Sequence, residues 1–182
     1  MNNKTISAKN ANKIPSTIST TKVSRKSLKK KAKNNINMFL TLLQNGKYKN
    51  NYQCLINFSI GFELFLKSAK KKFKPIHNLY ELFKDVGDVT ILSFNKKIKS
   101  ILENNNINMV NYKDHLESFC HDYFCLFEVS RYGEFTRKKC KRQQIPILSL
   151  LIICCLILNE CKGNTYKKIS KKIKVDTSID LC

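Results

Sequence analysis

The 182-residue chain has no tryptophan, five glycines and three prolines. A sandwich or barrel of many short strands needs turn residues about every 8–12 positions, so this scarcity excludes one and leaves a helical domain. Carboxylates are scarce as well. The first is Glu63, so residues 1–62 carry twelve basic groups and no acid, while 22 bases meet 13 acids in the remainder. The formal net charge of +21 opposes compactness unless counter-charge is near, and it calls for an acidic partner: nucleic acid, anionic lipid or an acidic protein. Arginine is rare too. Thirty lysines stand against Arg25, Arg131, Arg137 and Arg142 in a chain crowded with Asn and Ile, so part of the charge reflects codons rich in A and T.

No apolar run reaches the ~18–20 residues that span a hydrocarbon layer. The longest, residues 145–158, has Pro146 and Ser149 inside it. Being apolar all round, it reads as a buried central helix. The basic residues before it, Arg137 to Arg142, keep a second reading open, a peripheral membrane segment over residues 137–158. Residues 1–34 contain no apolar h-region. A cytoplasmic protein is therefore expected, its eight cysteines reduced and used as small hydrophobes. Walker, G-x-G-x-x-G, H-E-x-x-H and G-x-S-x-G motifs are all missing, which removes those chemistries.

Residues 1–27 are rich in Ser, Thr, Asn and Lys with little to bury, and read as a disordered basic arm able to neutralise RNA phosphates. Lys29, Lys30 and Lys31 carry that character into the first helix. From Leu28 onward helical spacing takes over: Leu28, Ala32, Ile36, Phe39 or Leu40, and Leu43 form one stripe, closed by Asn45 and Gly46. A second long helix holds Tyr52, Leu55, Ser59, Phe62, Leu66, Ala69 and Phe73, stopped by Pro75. Short helices follow over Leu79–Val86 and Ile91–Leu102, before the polar loop at 104–108. A third long helix is expected from Tyr112 through Leu116, Phe119, Tyr123 and Leu126 or Phe127 to Ser130, with no strand anywhere. The expected architecture is an all-α, up-and-down bundle of about five helices over residues 28–162, with a basic tail at 163–182.

Three pieces of this bundle, in order, resemble the HEPN superfamily of small helical proteins. The stretch 46–74 is similar to the family's long helix after a Gly turn, with Glu63 and Lys67 matching its E-x-x-x-K signature. Pro75–Phe83 resembles its "His-Asp-Leu" helix start, with His77, Leu79 and Leu82 in place and Asn78 where Asp is commoner. Phe127–Phe135 resembles the Arg-Tyr pair closing the later helix, here Arg131 and Tyr132. On residue chemistry alone, Glu63 is expected to pair with Lys67 and to reach Arg131 between helices, and His77 to cap free backbone amides. Arg131, in so lysine-rich a chain, marks a place suited to a planar, bidentate cation.

Many HEPN proteins are ribonucleases with an R-x4-6-H motif. That motif is missing, because His77, His115 and His121 all precede Arg131. The resemblance therefore implies a non-catalytic module rather than an enzyme of the family's usual kind, binding RNA or a nucleotidyltransferase partner in a toxin-antitoxin or defence setting, as a homodimer. The alternative is a ribonuclease with a degenerate site built from Arg131 and His121. No cofactor is expected. No metal is either, since His121 and Cys125 give only two ligands on one helix and no C-x-x-C supplies more.

Overall fold

The computed structural model describes residues 24–45, 52–70, 75–132, 144–159, 166–167, 171 and 178–180. The arm expected over 1–27 lies outside them up to residue 23, as do Gly46, Phe73, Gly133, the basic flank at 137–142 and most of the expected tail. The described elements are helices α1 (Arg25–Gln44), α2 (Tyr52–Ala69), α3 (Leu79–Lys84), α4 (Asp88–Asn104), α5 (His115–Asp122), α6 (Leu126–Tyr132) and α7 (Ile147–Leu158), with strands β1 (Gln144–Pro146) and β2 (Ser178–Asp180). The fold is all-α, with seven helices among the described residues where about five were expected.

Helix α1 starts where Ser24 can cap it, the hydroxyl accepting from Ser27 N at 3.1 Å. Its buried residues, Leu28, Ala32, Ile36, Phe39, Leu40 and Leu43, form the expected stripe. That stripe packs along α2, and an edge-to-face series of rings, Phe39 to Phe58 at 5.2 Å and Phe58 to Phe119 at 6.0 Å, carries the core from α1 through α2 to α5. The two long helices approach closely at Gly61, where a Cβ would fall 2.8 Å from Ile36 Cδ1 and 3.2 Å from the Ala32 carbonyl oxygen. Gly61→Ala gains up to ~1 kcal/mol of helix propensity but overpacks this contact at a cost of about 1–3 kcal/mol. The expected net is a lower urea midpoint. A midpoint at or above wild type would mean that Ile36 gives way without cost.

The asparagine run after α4 closes it. Asn106 adopts a left-handed φ of 55°, its N–H donates to Glu103 O, and Ile107 N–H donates to Leu102 O at 3.0 Å. These two bonds satisfy carbonyls that the helix end leaves open, as glycine-terminated helices commonly do.

Helix α7 is buried at nine of its twelve positions, including every residue from Leu150 to Ile157. It is a buried helix of the bundle, packed against α1, α2 and α4. No helix among the described residues is long and apolar enough to cross a membrane.

Four expectations need correction. The third long helix is two, α5 and α6, separated by a turn at residues 123–125. The turn is fixed from outside: the Tyr123 hydroxyl donates to Gln144 O, which draws Tyr123 toward the start of β1. The apolar run at 145–158 begins as strand rather than helix, with β1 antiparallel to β2 and Ile145 opposite Ile179, both buried. A strand pair thus exists where none was expected, and part of the segment read as a tail joins the core. Finally, Cys125 is disulfide-bonded, so the cysteines are not all reduced. Cys54, Cys120 and Cys154 are buried thiols, with burial pushing Cys54 up to about 12 and the other two well above the ordinary range.

Candidate functional site

Helix α2 is apolar enough to be buried on most sides, yet it carries Glu63 and Lys67 one turn apart, 4% and 5% exposed. Two such charges survive in the core only as a pair. Lys67 Nζ donates to Glu63 Oε1 at 2.6 Å. A second buried lysine, Lys70, ends α2 against Asp85 Oδ2, an ion contact of 2.6 Å that ties α2 to the C-cap of α3.

The segment between α2 and α3 brings a third group to Glu63. Asn78 caps α3, its side-chain oxygen accepting from Tyr80 N and Glu81 N. Leu79 N–H donates to Phe124 O at 2.9 Å, which pins this segment onto the turn between α5 and α6. His77 is thereby set with Nδ1 at 3.1 and 3.2 Å from the two Glu63 oxygens. The capping role expected of His77 belongs to Asn78, because the imidazole is turned to the carboxylate. A carboxylate only accepts, so Nδ1 carries the hydrogen of this contact. The His77 side chain is 48% exposed while Glu63 is buried.

The imidazole also lies flat against Phe127, with centroids 4.4 Å apart and planes within 5°. One turn further along α6, the Arg131 guanidinium stands 4.7 Å from the centroid of the same ring. Phe127 is buried and Arg131 exposed. A hydrogen bond of 2.9 Å between the buried hydroxyls of Ser59 and Ser130 fixes α6 on α2 at this level. Glu63, Lys67, His77, Phe127 and Arg131 thus form one connected series from a buried ion pair to an exposed cation.

Arg131 contributes to this series through the aromatic ring. The expected Glu63–Arg131 pair is replaced by Lys67 and His77, both of which reach the carboxylate first. His121, the histidine expected beside Arg131, belongs to a different cluster: its Nδ1 is 3.3 Å from Asp122 Oδ1 and its ring meets Tyr80 edge-on. The side chain of Tyr132 lies outside the described residues. No group of three or more metal-ligating side chains occurs among the described residues. Lys29, Lys30 and Lys31 are all exposed on α1, and Lys29 also lines a cavity between α1, α2, α4 and α7 together with Arg25, Lys33 and Lys97.

Sequence reasoning missed Phe127 as the shared ring of the site. Its signal was present, because Phe127 and Arg131 stand at i and i+4. It also missed His77 as the histidine that joins Arg131, which sequence spacing does not encode.

No protein-family model, curated protein or solved structure matches the chain.

Proposed function

We propose that the chain is a HEPN-like RNA-binding module, with the surface formed by His77, Phe127 and Arg131 as its contact for single-stranded RNA. The observation that carries this reading is the packing of His77 and Arg131 on one buried ring. Phe127 holds two planar, hydrogen-bonding groups in fixed orientation, and unpaired RNA is bound by stacking on such groups while cations meet its phosphates. Glu63 and Lys67 serve as the clasp that sets His77. The net charge of +21 supplies the non-specific attraction, and the segment at 1–27 is proposed to add to it. Assembly as a homodimer and with a nucleotidyltransferase partner, in a toxin-antitoxin or defence system, completes this reading.

Anisotropy of a labelled single-stranded RNA at fixed salt tests it. Arg131→Ala is expected to weaken binding about tenfold, within the ~1–3 kcal/mol of a stacking contact. Lys30→Gln is expected to weaken binding to all sequences alike and, when the titration is repeated at several salt concentrations, to lower the salt slope by about one phosphate contact. Equal affinity of Arg131→Ala and wild type would refute the site.

A second reading, a ribonuclease with a rearranged centre, is favoured by the Glu63–His77 contact. A carboxylate on Nδ1 leaves Nε2 as an acceptor able to take a proton from a ribose 2′-hydroxyl, with Arg131 placed to meet phosphate charge. RNA cleavage abolished by His77→Ala would establish it in preference to simple binding. RNA left intact by the wild-type protein would dismiss it.

A further inference from the structure

A second cationic site lies on another face of α2. The cavity between α1, α2, α4 and the end of α7 encloses about 250 Å³. Arg25, Lys29 and Lys33 succeed one another at four-residue steps along α1, and Lys97 meets them from α4. No carboxylate lines it among the described residues. The wall behind the cations is apolar, built on the packed rings of Phe65 and Phe94, whose centroids are 4.9 Å apart. Thr90 lies in the lining, and Lys97 Nζ donates to Asn159 Oδ1 at 3.4 Å, a neutral acceptor that leaves the lysine charge in place.

Cations gathered beside an apolar wall repel one another, and the field between them is strengthened by the low dielectric behind it. A single carboxylate would neutralise one of the three lysines. A phosphoryl group carries about −1.5 to −2 near pH 7, so two of them match the rim. The volume is below the ~300–1,000 Å³ typical of clefts that enclose a whole organic ligand, which suits a pair of phosphoryl groups and leaves any attached nucleoside outside. Lysines, as compact hydrated point charges, serve such a ligand well.

We propose that this cavity binds a diphosphate-class anion, either inorganic diphosphate or the terminal phosphoryl groups of a nucleoside polyphosphate. The site stands apart from the His77–Phe127–Arg131 surface, so it can hold or fail independently of RNA binding there.

Calorimetric titration of the full chain at low salt with sodium diphosphate, ATP and adenosine tests the proposal. Diphosphate and ATP are expected to saturate a single site and adenosine to give no heat. ATP binding tighter than diphosphate assigns the ligand to the nucleotides, and equal affinities assign it to the free anion. Lys33→Gln with Lys97→Gln is expected to weaken diphosphate by at least about tenfold. Lys30→Gln with Lys31→Gln removes the same charge from the exposed side of α1 and is expected to leave binding unchanged. Melting curves confirm that both double variants fold. Absence of saturable diphosphate binding overturns the proposal, as does equal weakening by the two double variants, which would reduce it to diffuse attraction. RNA affinity measured on the same proteins keeps this result separate from that of Arg131→Ala.

Discussion

Glu63→Ala is expected to lose about 3–5 kcal/mol of stability, the cost of stranding the buried Lys67 ammonium without its partner. In a domain of this size that corresponds to a fall of roughly 6–20 °C in melting temperature. Calorimetry or urea unfolding measures it. The cause is separable from lost packing by a second change. Replacing the pair together, Glu63→Leu with Lys67→Met, removes both charges and fills the same space, and is expected to recover most of the loss, because a well-packed apolar pair in the interior is often as stable as the ion pair it replaces. The recovered protein would still lack the carboxylate that orients His77. RNA binding should therefore remain weakened although the fold is restored, and this separates the structural role of Glu63 from its role as a clasp. A loss below about 1 kcal/mol for Glu63→Ala would mean that water reaches Lys67.

The second large effect is acid sensitivity through His115. This residue opens α5, and its Nε2 is buried without a hydrogen-bond partner among the described residues. Burial lowers its pKa from 6.5 to about 4. In the unfolded chain the ring takes up a proton as pH falls through about 6.5, while in the folded protein it does so only near 4. Between these values the unfolded state binds more protons, so stability rises with pH across the window and is lost as pH falls through it. Near pH 4.5 the loss from this one group is about 2–3 kcal/mol, and above about pH 7 it vanishes. His115→Phe is expected to reduce the gap between melting temperatures at about pH 7 and about pH 4.5 relative to wild type. An unchanged gap would place the acid sensitivity in the carboxylates alone.

The helices were legible where local spacing decides them. The α1 stripe from Leu28 to Leu43 and the apolar α7 follow from periodicity and from unbroken hydrophobicity, and both are buried as expected. The division between α5 and α6 was not legible. Leu116, Phe119, Tyr123 and Leu126 keep helical spacing straight through the turn, and the bond that fixes the turn comes from Gln144, 21 residues away. The β1–β2 pair is equally non-local, with three residues on each side and no alternation long enough to register.

For the site, sequence picked out Glu63, Lys67, His77 and Arg131 and the pairing of the first two, but not how His77 and Arg131 join them. His77 is fourteen positions from Glu63, and its place against both Glu63 and Phe127 depends on non-local contacts such as the bond from Leu79 to Phe124. The cationic cavity was hidden for the same reason. Arg25, Lys29 and Lys33 share a face at a spacing visible in the sequence, but Lys97 arrives from α4, and lysine is too common in this chain for any single one to stand out.

The interior thiols act as silent chemical clocks. Cys54, Cys120 and Cys154 are fully enclosed, and a thiol kept protonated is a poor nucleophile. An alkylating reagent can modify them only in molecules whose helices have momentarily parted, so the rate at which each sulfur is consumed reports how often its own part of the bundle breathes.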